Sequence, residues 1–146
     1  MPLEEEHSER YVGIDVGDAR IGIAISDEKR MIAFPLAVIK RENNSYGFNK
    51  IEKLLKERDL KAFVVGLPVK SDGSMGSQCE KVLKYVESLK KYFKSEVIVW
   101  DERYTTIIAE KILIESNTKR EKRRKVVDEV AAQLILQSYL DYLNNV

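Results

Sequence analysis

A chain of 146 residues has room for one compact domain. Its 25 basic and 24 acidic side chains leave a net charge of +1, so the overall charge gives no argument for a polyanionic partner. One histidine and one cysteine exclude an internal disulfide and argue against imidazole catalysis and His/Cys metal sites. No apolar run approaches the ~20 residues of a membrane span, so the sequence predicts a cytoplasmic protein with no membrane contact. Cys79 is expected to be a structural thiol.

The first third of the chain has the pattern of three strands. Residues 1–10 are polar and predict a poorly ordered tail, which leaves residues 11–146 as the domain. Apolar runs at 11–16 and 21–26 are joined by Gly-Asp-Ala-Arg, which predicts a hairpin. Residues 31–39 predict a third strand, and Pro35 within it favours an edge position because proline cannot donate to a ladder.

Helices and strands alternate after residue 46. Apolar residues at helical spacing predict helices over 47–58 and 78–93, and short apolar runs predict strands at 62–65 and 97–100. A polar, glycine-containing loop spans 69–77. Thr105 or Thr106 can cap a further helix, and a long helix is expected from about Lys125 to Leu143. The order β-β-β-α-β-α-β-α-α predicts one α/β domain, with a mixed sheet and helices on both faces.

Acidic residues stand where this pattern expects apolar ones. Asp15 lies inside the first strand, where a buried carboxylate costs several kcal/mol unless a partner or metal compensates it. Asp101 and Glu102 follow the fifth strand, and only one of them can face Asp15 because successive strand side chains alternate. Asp128 shares a helical face with Ala131, Ala132 and Ile135. If these acids converge, their oxygens suit Mg²⁺ or Mn²⁺ and metal-assisted phosphodiester hydrolysis.

Basic residues provide candidate phosphate contacts. Six positive charges fall within residues 119–125, a pattern that fits either a phosphate-binding patch or a solvated helix start. Arg20 and Arg103 can hold phosphates or neutralise the nearby carboxylates. Lys70 belongs to a loop that could fold over a substrate. The predicted nucleic-acid contacts are therefore Arg20, Lys70, Arg103, Lys119, Arg120, Arg123 and Arg124.

Four segments, in this order and spacing, resemble the YqgF-type, RuvX-like nucleases. They are GIDVGDARIGIAISD at 13–27, GLP at 66–68, DERYTT at 101–106 and KVVDEVAA at 125–132. The resemblance extends from Tyr11 to Leu143. It implies an RNase H-like fold whose five-stranded mixed sheet has its first three strands antiparallel, and a divalent-metal nuclease site. The family's catalytic and metal-binding acids fall on Asp15, on Glu102 (with Asp101 as its alternative) and on Asp128.

The resemblance also implies two roles: maturing the 5′ end of the 16S ribosomal RNA precursor, and resolving Holliday junctions. We expect a Mg²⁺- or Mn²⁺-dependent hydrolase acting on structured nucleic acid, with precursor ribosomal RNA favoured over branched DNA. Junction resolution would require a two-fold dimer, and the sequence leaves monomer and homodimer open. A nucleic-acid-binding module without turnover is the alternative of another class. An actin-like phosphotransferase shares the opening motif but would need two such domains.

Overall fold

The computed structural model describes residues 9–103 and 120–145, with side chains in the second range from residue 130 onward. Within these ranges the chain forms five strands and three helices. The strands are β1 (Arg10–Val16), β2 (Arg20–Ser26), β3 (Ala33–Lys40), β4 (Leu60–Leu67) and β5 (Val97–Asp101). The helices are α1 (Phe48–Leu54), α2 (Ser77–Phe93) and α3 (Arg120–Asn144).

The five strands form one mixed sheet in the order β3-β2-β1-β4-β5. β1, β2 and β3 are antiparallel, whereas β4 runs parallel to β1 and β5 runs parallel to β4. The predicted hairpin is confirmed, since Val16 pairs with Ile21 and the Gly17 N–H donates to the Arg20 carbonyl at 2.9 Å. β3 is an edge strand, as Pro35 predicted.

A separate apolar layer covers each face of the sheet. Alternate residues of β1 such as Val12, Ile14 and Val16 face α1 and α2, with Phe63 and Tyr85 in the same layer. The opposite face packs against α3 and includes the small residues Ala24, Ala33 and Ala62, which contact Ala132 and Leu136 in the same apolar layer. Small side chains on this face bring α3 close to the central strands.

α3 is also fastened by polar contacts to both edges of the sheet. The Ala33 N–H donates to Gln137 Oε1 at 2.8 Å, and Gln133 Nε2 donates to the Ala33 carbonyl at 3.1 Å. At the opposite edge, Trp100 Nε1 donates to Ser138 Oγ at 3.1 Å. These contacts fix the direction in which α3 crosses the sheet.

Several predicted boundaries are corrected by the structure. β3 begins at Ala33 and not at residue 31, because Asp27 Oδ1 accepts the N–H groups of Met31 and Ile32 at 2.8 and 3.0 Å and holds them in a turn. α1 ends at Leu54 and not at 58, since i to i+3 bonds replace helical ones after Leu55. α3 already includes Arg120, the first residue described after the gap, five residues before the predicted start. The helix predicted from Thr105 or Thr106 lies outside the described residues.

The remaining predicted elements are confirmed with small extensions at their ends. β1 begins at Arg10, so the described chain enters the sheet one residue earlier than predicted. Among the described residues, no helix combines the length and apolar character needed to cross a membrane.

Candidate active site at the carboxyl end of the sheet

The site lies where β1, β4 and β5 end, on the face that α3 covers. Gly13 on β1 lies directly beneath α3, because a Cβ added to it would lie 2.8 Å from Leu136 Cβ and 3.0 Å from the Ala132 carbonyl oxygen. Asp15 follows two residues later and so lies on the same face, one step closer to the carboxyl end. The alternation of the strand therefore places this carboxylate, half-buried, at the end of the α3 layer.

Glu102 reaches the same place from β5. Its backbone N–H donates to the Leu67 carbonyl at 3.2 Å, which ties the end of β5 to the end of β4. The side chain then lies over Gly66, where any Cβ would overlap Glu102 Oε2 and lie 2.5 Å from Ile135 Cδ1. Gly66 thus provides the space into which the carboxylate folds, beneath α3.

The Glu102 carboxylate is electrostatically costly in this position. Its Oε2 atom is buried and has no hydrogen-bond partner. Burial, and after it the nearby carboxylates of Asp15 and Asp101, together raise the pKa of Glu102 to about 8. An ionised glutamate at neutral pH therefore requires a compensating positive charge.

Asp101, the alternative to Glu102, points elsewhere. It is exposed, and its Oδ2 accepts Nε and Nη2 of Arg103, both at 2.9 Å, while its Oδ1 accepts the Arg103 N–H at 3.0 Å. This two-pronged pair holds the guanidinium in a fixed orientation. Its Nη1 lies 3.7 Å from the position of a Cβ on Gly73, so the pair borders the loop after β4.

Lys70 belongs to that loop. The Lys70 N–H donates to the Ser74 carbonyl at 3.0 Å, and Gly73 returns a bond to the Lys70 carbonyl at 2.8 Å. The Lys70 side chain folds back over Gly76, with Nζ 3.3 Å from the position that a Cβ there would take. The predicted contacts Lys70 and Arg103 are thus brought to one loop at the carboxyl end of the sheet.

The other predicted site residues are only partly described. Arg20 begins β2 across the hairpin from Gly17 and is half-exposed, and β1 and β4 lie between its strand and β5. Asp128 lies within α3 one turn before Ala132, whose carbonyl lies above Gly13. The part of the α3 backbone that precedes Ala132 therefore lies toward the Asp15 end of β1. The side chain of Asp128 lies outside the described part. The same holds for the side chains of Arg120, Arg123 and Arg124, and for the whole of Lys119.

Asp15 and Glu102 fit a divalent cation. Where side chains are described, no group of three or more His, Cys, Asp or Glu residues converges. Mg²⁺ needs fewer protein ligands than that, since it is commonly bound through one or two carboxylates together with waters and substrate phosphates. Two carboxylates, one with a buried oxygen that lacks a hydrogen-bond partner, form an all-oxygen donor set of this kind.

Comparisons with known proteins identify the family of this chain. The profile of the RuvX family, described as Holliday junction resolvase, matches residues 9–142. The chain belongs to the RuvX family. It is 45% identical to a protein of Thermoanaerobacter pseudethanolicus over 93% of this chain and 99% of that one, and 44% identical to a protein of Clostridium tetani with the same coverage. Both relatives carry the name "Putative pre-16S rRNA nuclease". The resemblance inferred from four motifs is confirmed.

Solved structures confirm the fold. The Holliday junction resolvase of fowlpox virus has a TM-score of 0.53 at 15% identity, covering 91% of this chain and 99% of that one. The same viral resolvase, solved with Holliday junction DNA, gives a TM-score of 0.52. The architecture of the RuvX-family chain is thus the RNase H-like one that its motifs implied, with the predicted strand directions.

Two features of the site were missed in the sequence. Gly66 enters the sequence analysis only as part of the GLP motif, although a glycine directly after the apolar run 62–65 signals a close approach of another chain segment. Arg41 donates to the Gly17 carbonyl at 2.8 Å and so supports the hairpin that follows Asp15. No pattern in the sequence marks that contact, because it spans 24 residues.

Substitution of the buried carboxylate is expected to stabilise the metal-free protein in a pH-dependent way. Because folding raises the pKa of Glu102 above its ordinary value to about 8, its stability cost is small near pH 4.5 and grows as the pH rises toward 8. Glu102→Gln should therefore raise the free energy of unfolding by at least about 1 kcal/mol at pH 8, which corresponds to a Tm increase of roughly 3 °C, and by much less at pH 5. Thermal unfolding in EDTA at both pH values measures this.

The matched control is Glu57→Gln, which removes an exposed carboxylate at the end of the turn after α1. It should leave the Tm unchanged at both pH values. A Glu102→Gln variant that is less stable than wild type at pH 8, or equally stable at every pH, would contradict the described position of this side chain.

Proposed function

We propose that this protein is a Mg²⁺- or Mn²⁺-dependent nuclease that hydrolyses phosphodiester bonds during maturation of the 5′ end of 16S ribosomal RNA. The observation that carries the proposal is the buried, partnerless oxygen of Glu102 beside Asp15. A structural glutamate would have a hydrogen bond or a cation there, because burying a charge without a partner costs several kcal/mol. A site that receives a cation explains the arrangement.

Asp15, Glu102 and Asp128 are the residues proposed to hold the metal. The chemistry that Mg²⁺ or Mn²⁺ supplies in such sites is activation of the attacking water and stabilisation of the leaving oxygen. Gly66 and Ile135 shape the space around Glu102 so that its carboxylate stays close to Asp15 and away from bulk water. These contacts fix the donor atoms before substrate arrives, which lowers the cost of organising them.

Arg103 is the residue proposed to bind a substrate phosphate next to the carboxylates. Two of its guanidinium nitrogens are held by Asp101, and Nη1 faces the Lys70 loop. This orientation leaves one edge of the guanidinium for a phosphate oxygen. Asp101 is accordingly proposed to position Arg103 and not to bind the metal.

The choice of ribosomal RNA as substrate is supported by the names of the relatives at 41–45% identity. The family description, Holliday junction resolvase, supports a second candidate, symmetric cleavage of branched DNA. That activity requires two active sites related by a two-fold axis, whereas trimming of an RNA end requires one. Sedimentation equilibrium at the assay concentration separates them, since a monomer that cleaves RNA excludes the symmetric mechanism.

Divalent cations are expected to stabilise the protein through Glu102. A cation that binds only the folded state raises the free energy of unfolding, by about 2.7 kcal/mol at 100 times its Kd. The Tm rises accordingly. Wild type should show this increase at pH 8, and Glu102→Gln should show little or none. An equal Mn²⁺-induced increase in both proteins would place the cation elsewhere. Glu57→Gln serves again as the control and should respond as wild type does.

Loss of either carboxylate is expected to abolish cleavage. Asp15→Asn and Glu102→Gln should each lower kcat by about 100-fold or more on a precursor RNA spanning the 5′ end, with Mn²⁺ present. Asp101→Asn should instead raise KM, because it frees Arg103 without removing a proposed metal ligand. Single-turnover cleavage assays measure both constants. Wild-type cleavage by Asp15→Asn would refute the proposed chemistry.

Depletion of the protein in its host is expected to leave 16S ribosomal RNA with unprocessed 5′ ends. Primer extension maps these ends, and an Asp15→Asn copy should fail to restore them while a wild-type copy succeeds. Normal 5′ ends after complete depletion would exclude the ribosomal role. In that case junction cleavage by the purified protein would favour the second candidate.

A further inference from the structure

A cleft of 360 Å³ opens on the face of the sheet opposite Glu102, and the proposed mechanism does not use it. It lies between the β1–β2 hairpin, the segment after β3 and the first turns of α2. Its size is at the lower end of the range for ligand pockets. The lining residues are Val16, Asp18, Arg41, Asn44, Tyr46, Lys81, Lys84 and Tyr85.

The lining is predominantly cationic. Three positive side chains face one carboxylate, that of Asp18. Lys81 Nζ lies 3.4 Å from Asp18 Oδ1, but both side chains are more than half exposed, so the pair contributes little and leaves ammonium donors available. Lys84 follows one turn later on the same face of α2 and is exposed. The cleft therefore presents a surplus of donors to an anion.

The opposite wall of the cleft is preorganised. Arg41 Nη1 donates to the Gly17 carbonyl at 2.8 Å, and Nε donates to the Ser45 carbonyl at 2.9 Å. The guanidinium carbon lies 5.5 Å from the centre of the Tyr46 ring. Tyr85 fixes the same segment, because its hydroxyl donates to the Tyr46 carbonyl at 2.9 Å. The positive charge of Arg41 is thus held in place by contacts within the protein.

The cleft and the candidate active site meet at the end of β1. Val16 lines the cleft, and Asp15, the preceding residue, faces the opposite side of the sheet. The Gly17 carbonyl that Arg41 holds belongs to the turn directly after these two residues. A polymer passing over this end of the sheet can therefore contact both places, whereas a small ligand in the cleft would touch only one.

We propose that this cleft binds a backbone phosphate of the nucleic-acid strand at a distance from the cut, through Lys81 and Lys84, with Arg41 as a fixed positive charge. The inference rests on the proposed nuclease function and adds a second contact to the same substrate. A free nucleotide carries the same phosphate chemistry. A nucleic-acid strand is favoured because the cleft adjoins the end of β1, which carries Asp15, and because backbone phosphates recur along one molecule.

The test compares two double variants of α2 in a metal-free buffer, where binding is read without cleavage. Lys81→Ala/Lys84→Ala removes the cleft donors, and Lys90→Ala/Lys91→Ala removes the same charge from the far end of the helix. Fluorescence anisotropy with a single-stranded RNA oligonucleotide measures Kd as a function of salt. The cleft variant should bind about tenfold more weakly, and its salt slope should fall by about 0.7, the value for one lost phosphate contact. The control should bind as wild type does.

Equal weakening by both variants would show a general charge effect and overturn the proposal, as would wild-type affinity in the cleft variant. Titration with adenosine monophosphate separates the two phosphate sources. If wild type binds the mononucleotide as tightly as the oligonucleotide and only that binding is lost in the cleft variant, the cleft is a free-nucleotide site and the proposal is wrong.

Cleavage of the same oligonucleotide, with Mn²⁺ added, keeps the two proposals apart. If wild type binds the oligonucleotide but never cleaves RNA or branched DNA, the nuclease proposal fails. The Kd values of the two double variants then test the cleft proposal by themselves. If the cleft variant cleaves with an unchanged KM, the nuclease proposal stands and the cleft proposal is overturned. The supporting result is a raised KM with unchanged kcat, because a contact distant from the cut contributes equally to ground and transition states.

Discussion

The arrangement of this molecule depends on one carboxylate that is held where a carboxylate is unfavourable. Glu102 follows the last residue of β5, and its backbone N–H donates to the Leu67 carbonyl at the end of β4. This bond places the Glu102 side chain over Gly66. There its Oε2 atom is buried without a partner and lies near the negative charge of Asp15. Placing two carboxyl groups this close, one of them buried, costs stability as the pH rises toward 8, and carboxyl groups with so perturbed a pKa cluster at functional sites.

Glycines at two positions on the α3 face make this placement sterically feasible. At Gly13 and at Gly66 an added Cβ would come within 3 Å of α3 side chains, which are Leu136 and Ile135 respectively. The helix therefore lies closer to β1 and β4 than ordinary side chains would allow. The same closeness that buries Ile135 against the sheet also closes the space above Glu102. Packing and electrostatics at this site are consequently coupled, and a larger residue at position 66 would disturb both.

The sequence predicted the fold well because its signals were local. Strands β1 and β2, the hairpin between them and the edge position of Pro35 follow from alternation, turn residues and proline chemistry, which do not depend on distant contacts. The choice between Asp101 and Glu102 could not be made in this way, because the alternation of β5 ends at these two residues. In the structure Arg103 engages Asp101, and the space above Gly66 admits the side chain of Glu102. Arg41 and the cationic cleft were missed for the same reason, since their partners lie far apart in the chain.

The β1–β2 hairpin connects the two places where this chain concentrates charge. Asp15 and Val16 face opposite sides of the sheet, so a displacement of one moves the other. Arg41 holds the turn that follows them through the carbonyl of Gly17, and its own backbone N–H donates to the Ala19 carbonyl at 2.9 Å. An anion bound by Lys81 and Lys84 would therefore lie beside the turn that follows Asp15 and Val16. The preorganisation of the cleft and the placement of Asp15 thus have one structural origin, because both rely on the same three-residue turn after β1.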